Sequence, residues 1–184
     1  MNKKEVLGIY LELYKLLEED FMKLIKCVSL SGKNFAVFSP KLLSMFLVTC
    51  SEIDSILDEY VRQYNLQTDK NMNFCKKIQA LCEREQGHLN AERVSIQISG
   101  VRDIAPFGKL SSAETTNWWH DYNLVKHNRM RKDDNGNWNY EKANLKNVLY
   151  AMAGLYIILH IFFQDELLGE DNSLISSRLF RKIN

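Results

Sequence analysis

Apolar residues recur at spacings of three and four along most of the chain, which is the pattern of amphipathic α-helices. We therefore predict helices over about residues 3–29, 40–65, 70–85, 112–131 and 140–168. Ser39 and Pro40 can begin the second helix. Ser111 and Glu114 form a capping-box pattern before the fourth, and Asn139 can cap the last.

The period of the apolar pattern changes to two between the third and fourth helices. Apolar and polar residues alternate from Val94 to Ile98, which predicts a short strand or extended insertion near residues 92–100. The sequence thus predicts an all-α fold, a four- to five-helix bundle with a small extended insertion. We expect residues 1–168 to form one helical domain and residues 169–184 to form a polar, loosely ordered tail.

The composition gives no general attraction to nucleic acid or anionic lipid. The 184 residues include 24 basic and 23 acidic side chains, for a formal net charge of +1, so any contact with nucleic acid must be local. Charges interrupt the apolar pattern at the N-terminus, unlike a signal peptide, and we expect a cytoplasmic protein. Residues 148–163 carry no formal charge but are short for a membrane span of roughly 20 residues. We expect a buried core or dimer-interface helix there, and no membrane contact.

The four cysteines contain no Cys-x-x-Cys pair, and each lies inside a helical pattern. We predict that they are reduced core residues rather than metal ligands or disulfides, and we expect neither a metal nor another cofactor. The cysteines are Cys27, Cys50, Cys75 and Cys82.

The predicted fourth helix contains the most distinctive segment, residues 118–129, with the sequence WWHDYNLVKHNR. At 100° per residue this segment presents two faces with different chemistry. The packing face consists of Trp118, Tyr122 and Val125. The opposite, polar face consists of His120, Asn123, His127 and Arg131.

An imidazole, an amide and cations side by side could hold a phosphate and move a proton, which suits cleavage of a phosphodiester. His127 would be the general acid or base, and Asn123 would position it or the phosphate. Lys126 with an arginine, Arg129 or Arg131, would stabilise the developing charge. His120 is a further candidate. The alternative is that this polar face is simply exposed to solvent.

The same segment carries a local basic cluster. Five of the seven residues from 126 to 132 are basic or histidine, and such a cluster is where a nucleic-acid backbone would bind. The expected RNA contacts are Lys126, Arg129, Arg131 and Lys132.

Two carboxylates on the second helix, Glu52 and Asp54, lie beside apolar residues, so we expect at least one to be partly buried and to need a partner. Arg129, Lys126 or His127 could supply that partner. The carboxylate would then either form a structural ion pair between helices, or orient a histidine and tune its pKa.

These segments resemble a HEPN-like family of small bacterial helical proteins. The similarity lies in S-E-I-D at residues 51–54 and in W-W-x-x-Y-N-x-V-K-H-x-R at residues 118–129. The Pro-Phe loop at residues 106–107 and the start of the final helix, residues 143–156, add to it. The resemblance covers roughly residues 38–165.

The resemblance implies a dimeric helical bundle, because HEPN proteins dimerise and many are metal-independent ribonucleases of toxin–antitoxin and phage-defence systems. Their usual active motif is an arginine separated by four to six residues from a histidine, which would be His127. Positions 120–122 hold His120, Asp121 and Tyr122, so this sequence departs from that motif. The implied function is an RNA-binding homodimer, which would be a metal-independent endoribonuclease if it is catalytic. The alternative is a non-catalytic HEPN-like interaction module or regulatory partner of a protein from a neighbouring gene.

Overall fold

The computed structural model describes residues 3–67, 72–85, 89–98, 101, 103–110, 116–163 and 175–183. The α-helices are α1 (Lys3–Leu24), α2 (Pro40–Gln63), α3 (Phe74–Arg84), α4 (Asn117–Asn128) and α5 (Leu145–Phe162). Two short strands, β1 (Arg93–Ile96) and β2 (Phe180–Ile183), form one antiparallel sheet. The described chain is therefore mostly helical with a small sheet, which confirms the predicted class and the extended segment near residues 92–100.

Helix α5 lies at the centre of the core. Apart from its first turns, where Lys146 is exposed, it is apolar nearly all round, and 78% of its length is buried by the rest of the chain. Helix α2 packs along it, and α1, α4 and β2 cover its other sides. In length and hydropathy α5 could cross a membrane, but its burial is that of a core helix, as predicted from residues 148–163.

The helix boundaries differ from the predicted ones where local capping decides them. Helix α5 begins after Asn144, whose side chain accepts a hydrogen bond from the Asn147 amide at 3.0 Å. Asn139, the predicted cap, instead lies in a short 3₁₀ turn and donates its side-chain amide to the Asn128 carbonyl. Helix α4 begins after Thr116, whose hydroxyl accepts from the Trp119 amide. The predicted capping box at residues 111–114 lies outside the described residues.

The cysteines are free thiols. Cys50 is buried, and Cys75 and Cys82 are half-buried. Cys27 is exposed, so its prediction as a core residue is wrong. Helix α1 ends at Leu24 rather than near residue 29, which leaves Cys27 in the turns that follow.

The C-terminal segment over residues 175–183 is packed against the core, so the prediction of a loose tail is wrong for this part of it. Ile175, Leu179 and Phe180 are each at most 2% exposed. Strand β2 pairs with β1 in a register that places Phe180 opposite Ile96. Residues 169–174 and 184 lie outside the described residues.

A buried carboxylate on α1 holds this segment in place. The Glu18 side chain accepts hydrogen bonds from the amides of Arg178 and Leu179 at 3.0 and 3.2 Å, and also from the Ser177 hydroxyl. The Tyr14 hydroxyl donates to the same carboxylate at 3.2 Å. A carboxylate that is only 5% exposed needs such donors. Glu18 therefore fixes the position from which β2 begins.

The substitution Glu18→Gln should lower the free energy of unfolding by about 1–3 kcal/mol, because a neutral amide accepts more weakly and turns an N–H group toward existing donors. Urea unfolding measures this loss, and amide hydrogen exchange should be faster over residues 180–183. Glu19→Gln is the matched control, since Glu19 is exposed and its ion pair in the described residues is with Lys23 on the same helix. Equal stability of the two variants would show that Glu18 does not hold the segment.

Because of His160 on α5, we expect the free energy of unfolding to decrease in acid. Its Nε2 atom is buried and has no hydrogen-bond partner among the described residues. Its ring lies 4.5 Å from that of Tyr156, centroid to centroid. Burial, with a contribution from the Lys182 charge, lowers its pKa to about 4. The unfolded chain, in which a histidine has a pKa of about 6.5, therefore binds more protons between these values. The free energy of unfolding should fall as the pH decreases from about 6.5 to 4, by up to about 3 kcal/mol, and this effect should end below 4.

Urea unfolding at several pH values, compared between wild type and His160→Leu, measures this contribution. Carboxylates that titrate near pH 4 affect both proteins equally, so only the difference between the two curves reports on His160. Parallel curves would rule out the buried neutral histidine.

Candidate nucleic-acid interface on helix α4

The packing face predicted for α4 is confirmed. Trp118, Tyr122 and Val125 are at most 2% exposed, and Trp119 is 5% exposed. The Trp119 ring stacks on Phe74 of α3 at 3.8 Å between centroids. These contacts fix α4 between α3 and the core, so that the remaining side of the helix faces outward.

The chain itself covers the apolar last helix, which we expected to lie in the core or at a dimer interface, and it also covers the two tryptophans of α4. Trp118, Trp119 and nearly all of α5 are buried within the described structure. They are therefore not available as a dimer interface, which corrects that alternative. Their burial within one chain means that these residues no longer support a homodimer. It does not test whether the protein forms a homodimer through another surface.

The outward side of α4 carries the predicted polar residues. His120, Lys126 and His127 are exposed. Asn123 is half-buried, and its amide nitrogen donates to the Trp119 carbonyl of the same helix at 3.1 Å. Because α4 ends at Asn128, the exposed Arg131 belongs to the following turn rather than to the helical face.

We call the exposed basic side chains of this region the basic strip: His120, Lys126, His127, Arg131 and Lys132. Arg129 is half-buried next to it in sequence. In the part of the chain that the structure describes, no carboxylate forms an ion pair with these residues. Their charge is therefore available to an external anion.

Two aromatic rings lie beside cations of the strip. The Lys126 ammonium is 5.4 Å from the centroid of the buried Tyr122 ring. The Lys132 ammonium is 4.9 Å from the Trp138 ring, which is 43% exposed. Both distances are within the range of a cation–π contact. An exposed indole beside an ammonium offers a surface for a nucleobase next to a site for its phosphate.

Two of the nearby carboxylates, Asp133 and Asp121, are occupied elsewhere, whereas Asp134 is exposed and has no described ion pair. Asp133 accepts from turn amides and from Lys142, and the hydrogen bond from the Asn137 amide is the main cause of its lowered pKa. Asp121 accepts from the Asn147 side chain at 2.8 Å, with the Lys142 ammonium 4.0 Å away. This network ties α4 to the start of α5. Sequence reasoning missed it, because the two residues are far apart in the chain and no periodic pattern relates them.

Asp54 is partly buried, as expected, but its partner is a residue that we had not considered. The Lys77 ammonium of α3 lies 2.7 Å from carboxylate oxygens of both Asp54 and Asp58. The Lys77 side chain is only 7% exposed, and a buried ammonium needs paired charges. The expected pairing of Asp54 with Lys126, His127 or Arg129 is therefore wrong, and the inter-helix ion pair is the better interpretation.

Glu52 lies away from α4. It is half-buried, and burial raises its pKa. Its charge acts on Tyr10 of α1. Within the described residues, no hydrogen bond or ion pair joins Glu52 or Asp54 to His120 or His127. Helix α4 and the turn after it thus carry the exposed histidines and cations, and no described hydrogen bond or ion pair links Glu52 or Asp54 to them.

The chain matches no family model, no curated protein and no solved structure. The assignment of this surface therefore depends on its own geometry: a buried aromatic side that fixes the helix, and an outer side with uncompensated positive charge.

A close approach at Gly154 of α5 sets the position of α4. A Cβ atom at this position would lie 3.2 Å from Cζ of Phe107 and 3.3 Å from Cζ2 of Trp118. Both rings are at most 2% exposed, so neither can move aside easily. The glycine allows the loop at Phe107 and the first turn of α4 to pack directly on α5.

The paired substitutions Gly154→Ala and Gly8→Ala should have opposite effects on stability. At Gly8 in α1 an added Cβ meets no atom within 4 Å, so alanine should raise the free energy of unfolding by up to about 1 kcal/mol through helix propensity. At Gly154 the steric cost should exceed that gain and give a net loss of about 1 kcal/mol or more. Thermal and urea unfolding measure both. A stabilised Gly154→Ala would show that the α4–α5 contact is not tight.

Proposed function

We propose that this protein binds RNA through the basic strip, as a HEPN-like RNA-binding protein with a helical-bundle fold. The observation that carries the proposal is the set of exposed cations and imidazoles on one side of α4 and its following turn, none of them paired with a carboxylate in the described residues. Phosphate contacts supply most of the non-specific affinity of proteins for nucleic acid. Lys126, Arg131 and Lys132 would contact phosphates, with the half-buried Arg129 beside them.

Trp138 adds a stacking surface to this proposal. Its exposed ring beside Lys132 can accept one base while the ammonium binds the adjoining phosphate. Stacking tolerates any base, so this combination favours binding of single-stranded RNA with little sequence preference. The proposed setting is a toxin or phage-defence system in the cytoplasm.

Cleavage of RNA is a separate step of the proposal. His127 would act as general acid or base with His120, Asn123 and Lys126 around the phosphate, and no metal would be needed. The amide nitrogen of Asn123 already donates within its own helix, and no described hydrogen bond orients either histidine. A homodimer that joins two α4 helices would have to complete such a site. The geometry of one chain supports binding more strongly than catalysis, which favours the alternative of a non-catalytic interaction module.

The double variant Arg131→Gln/Lys132→Gln should bind single-stranded RNA more weakly than the wild type. Two lost phosphate contacts should reduce the slope of log K against log salt concentration by about 1.4. Fluorescence anisotropy with labelled RNA over a range of salt concentrations measures both effects. Lys15→Gln/Lys33→Gln is the matched control, because it removes two exposed charges elsewhere on the surface. An equal loss in both variants would show that net charge, rather than the strip, determines binding.

The same RNA, incubated with the protein in EDTA, distinguishes the catalytic and non-catalytic alternatives. Cleavage by the wild type that His127→Ala abolishes, with RNA binding retained, supports the endoribonuclease. Binding without cleavage supports a non-catalytic RNA-binding protein, whereas the interaction module predicts co-purification with a partner protein that His127→Ala does not affect. If the wild type does neither, the RNA proposal is lost.

A further inference from the structure

A cleft of about 340 Å³ opens between the loop Ala105–Lys109, the first turns of α4 and the first turns of α5. Its volume is at the lower end of the range of about 300–1,000 Å³ that is usual for small-molecule sites. No residue of the basic strip lines it. The cleft is therefore a second surface of α4, distinct from the one assigned to RNA.

The charges in the cleft favour an anion. Lys109 and Lys146 are exposed in its lining, and no described carboxylate pairs with either of them. Asp121 also lines the cleft, but its charge is already met by the Asn147 amide and the nearby Lys142. The cleft therefore holds two ammonium groups without a paired carboxylate, and its one carboxylate already has partners. This arrangement attracts negative charge.

An aromatic ring lies directly beside one of these cations. The Lys146 ammonium is 5.8 Å from the centroid of the half-buried Tyr150 ring, and both residues line the cleft. No described hydrogen bond engages the Tyr150 hydroxyl, and burial raises its pKa, so it stays a neutral donor at ordinary pH. An anion held by Lys146 would be next to both an aromatic face and a free hydroxyl.

Amide groups complete the polar lining. Asn117 is exposed at the start of α4 and has no described side-chain partner, so its amide can bond to a ligand. Asn147, by contrast, is 6% exposed and uses its amide hydrogens on Asp121 and the Lys142 carbonyl. These bonds hold the floor of the cleft in one arrangement before a ligand binds.

We propose that this cleft binds a small aromatic oxyanion, in which a carboxylate or phosphate contacts Lys146 and Lys109 and a planar ring lies on Tyr150. The hydroxyl of Tyr150 and the amide of Asn117 supply the neutral hydrogen bonds to the ligand. This site goes beyond the proposed RNA binding and does not depend on it. The size of the cleft limits the ligand to one or two rings with a single anionic group.

The test is a titration of the ¹⁵N-labelled full chain followed by NMR, with benzoate and phenyl phosphate as probes. Two matched compounds separate the contribution of the negative charge to the affinity from that of the aromatic ring. Benzamide lacks the charge, and cyclohexanecarboxylate lacks the planar ring. Benzoate and phenyl phosphate should shift the amide signals of residues 105, 107–109 and 146–150. Each matched compound should bind about tenfold more weakly or worse. The probe that binds more tightly shows whether the site prefers carboxylate or phosphate.

Variants assign the binding to the named residues. Lys146→Gln and Tyr150→Leu should each lower the affinity for the tighter-binding probe by about tenfold. Tyr150→Phe, which keeps the ring, should lower it less. Lys15→Gln on α1, which removes an exposed charge outside the cleft lining, is the matched control and should bind like the wild type. The proposal is overturned if neither probe shifts the cleft signals, if benzamide or cyclohexanecarboxylate binds equally well, or if Lys146→Gln and Tyr150→Leu leave the affinity unchanged. The RNA-binding variants lie outside the cleft, so failure of one proposal is distinguishable from failure of the other.

Discussion

The need to cover helix α5 on every side determines how the other elements are arranged. An apolar helix without a polar face gains free energy only when other elements remove it from water, because apolar burial is the main favourable contribution to folding. Helix α2 covers one side, and α1, α4 and β2 share the others. Helix α4 approaches α5 closely at Gly154 through Trp118. Its aromatic side is thereby fixed inward, and its histidines and lysine must face solvent.

A second constraint decides which charges stay available on α4. Lys77 projects from the buried side of α3, and its ammonium must be paired because a buried unpaired charge is costly. Asp54 and Asp58 of α2 supply that pairing. The carboxylate that could have neutralised or oriented groups on α4 is thus used between α2 and α3. Because the ion pair between α2 and α3 uses this carboxylate, the outer side of α4 keeps its positive charge.

The sequence predicts those features that arise from local periodicity. Apolar spacing correctly places Trp118, Tyr122 and Val125 on one buried face, and alternation finds the strand near residues 92–100. It does not find the contacts between distant parts of the chain. Glu18 binds a segment 160 residues away, and the Lys77 pair joins two helices. Since a pattern of period two or 3.6 describes only one element at a time, neither the packed C-terminal segment nor the partner of Asp54 could be predicted from it.

The near-neutral charge of the whole chain is compatible with strong local attraction for anions. At physiological ionic strength the screening length is about 8 Å, so exposed carboxylates further away do not cancel the field of the basic strip. Only neighbouring acids matter. Asp121 and Asp133 are already engaged with Asn147 and Lys142, so the exposed Asp134 is the neighbouring acid in the described residues that can still offset part of this charge. The formal charge of +1 therefore limits long-range steering of a polyanion but not its binding at short range. Affinity for RNA on this surface would depend on a few direct phosphate contacts, and salt would weaken it in proportion to their number.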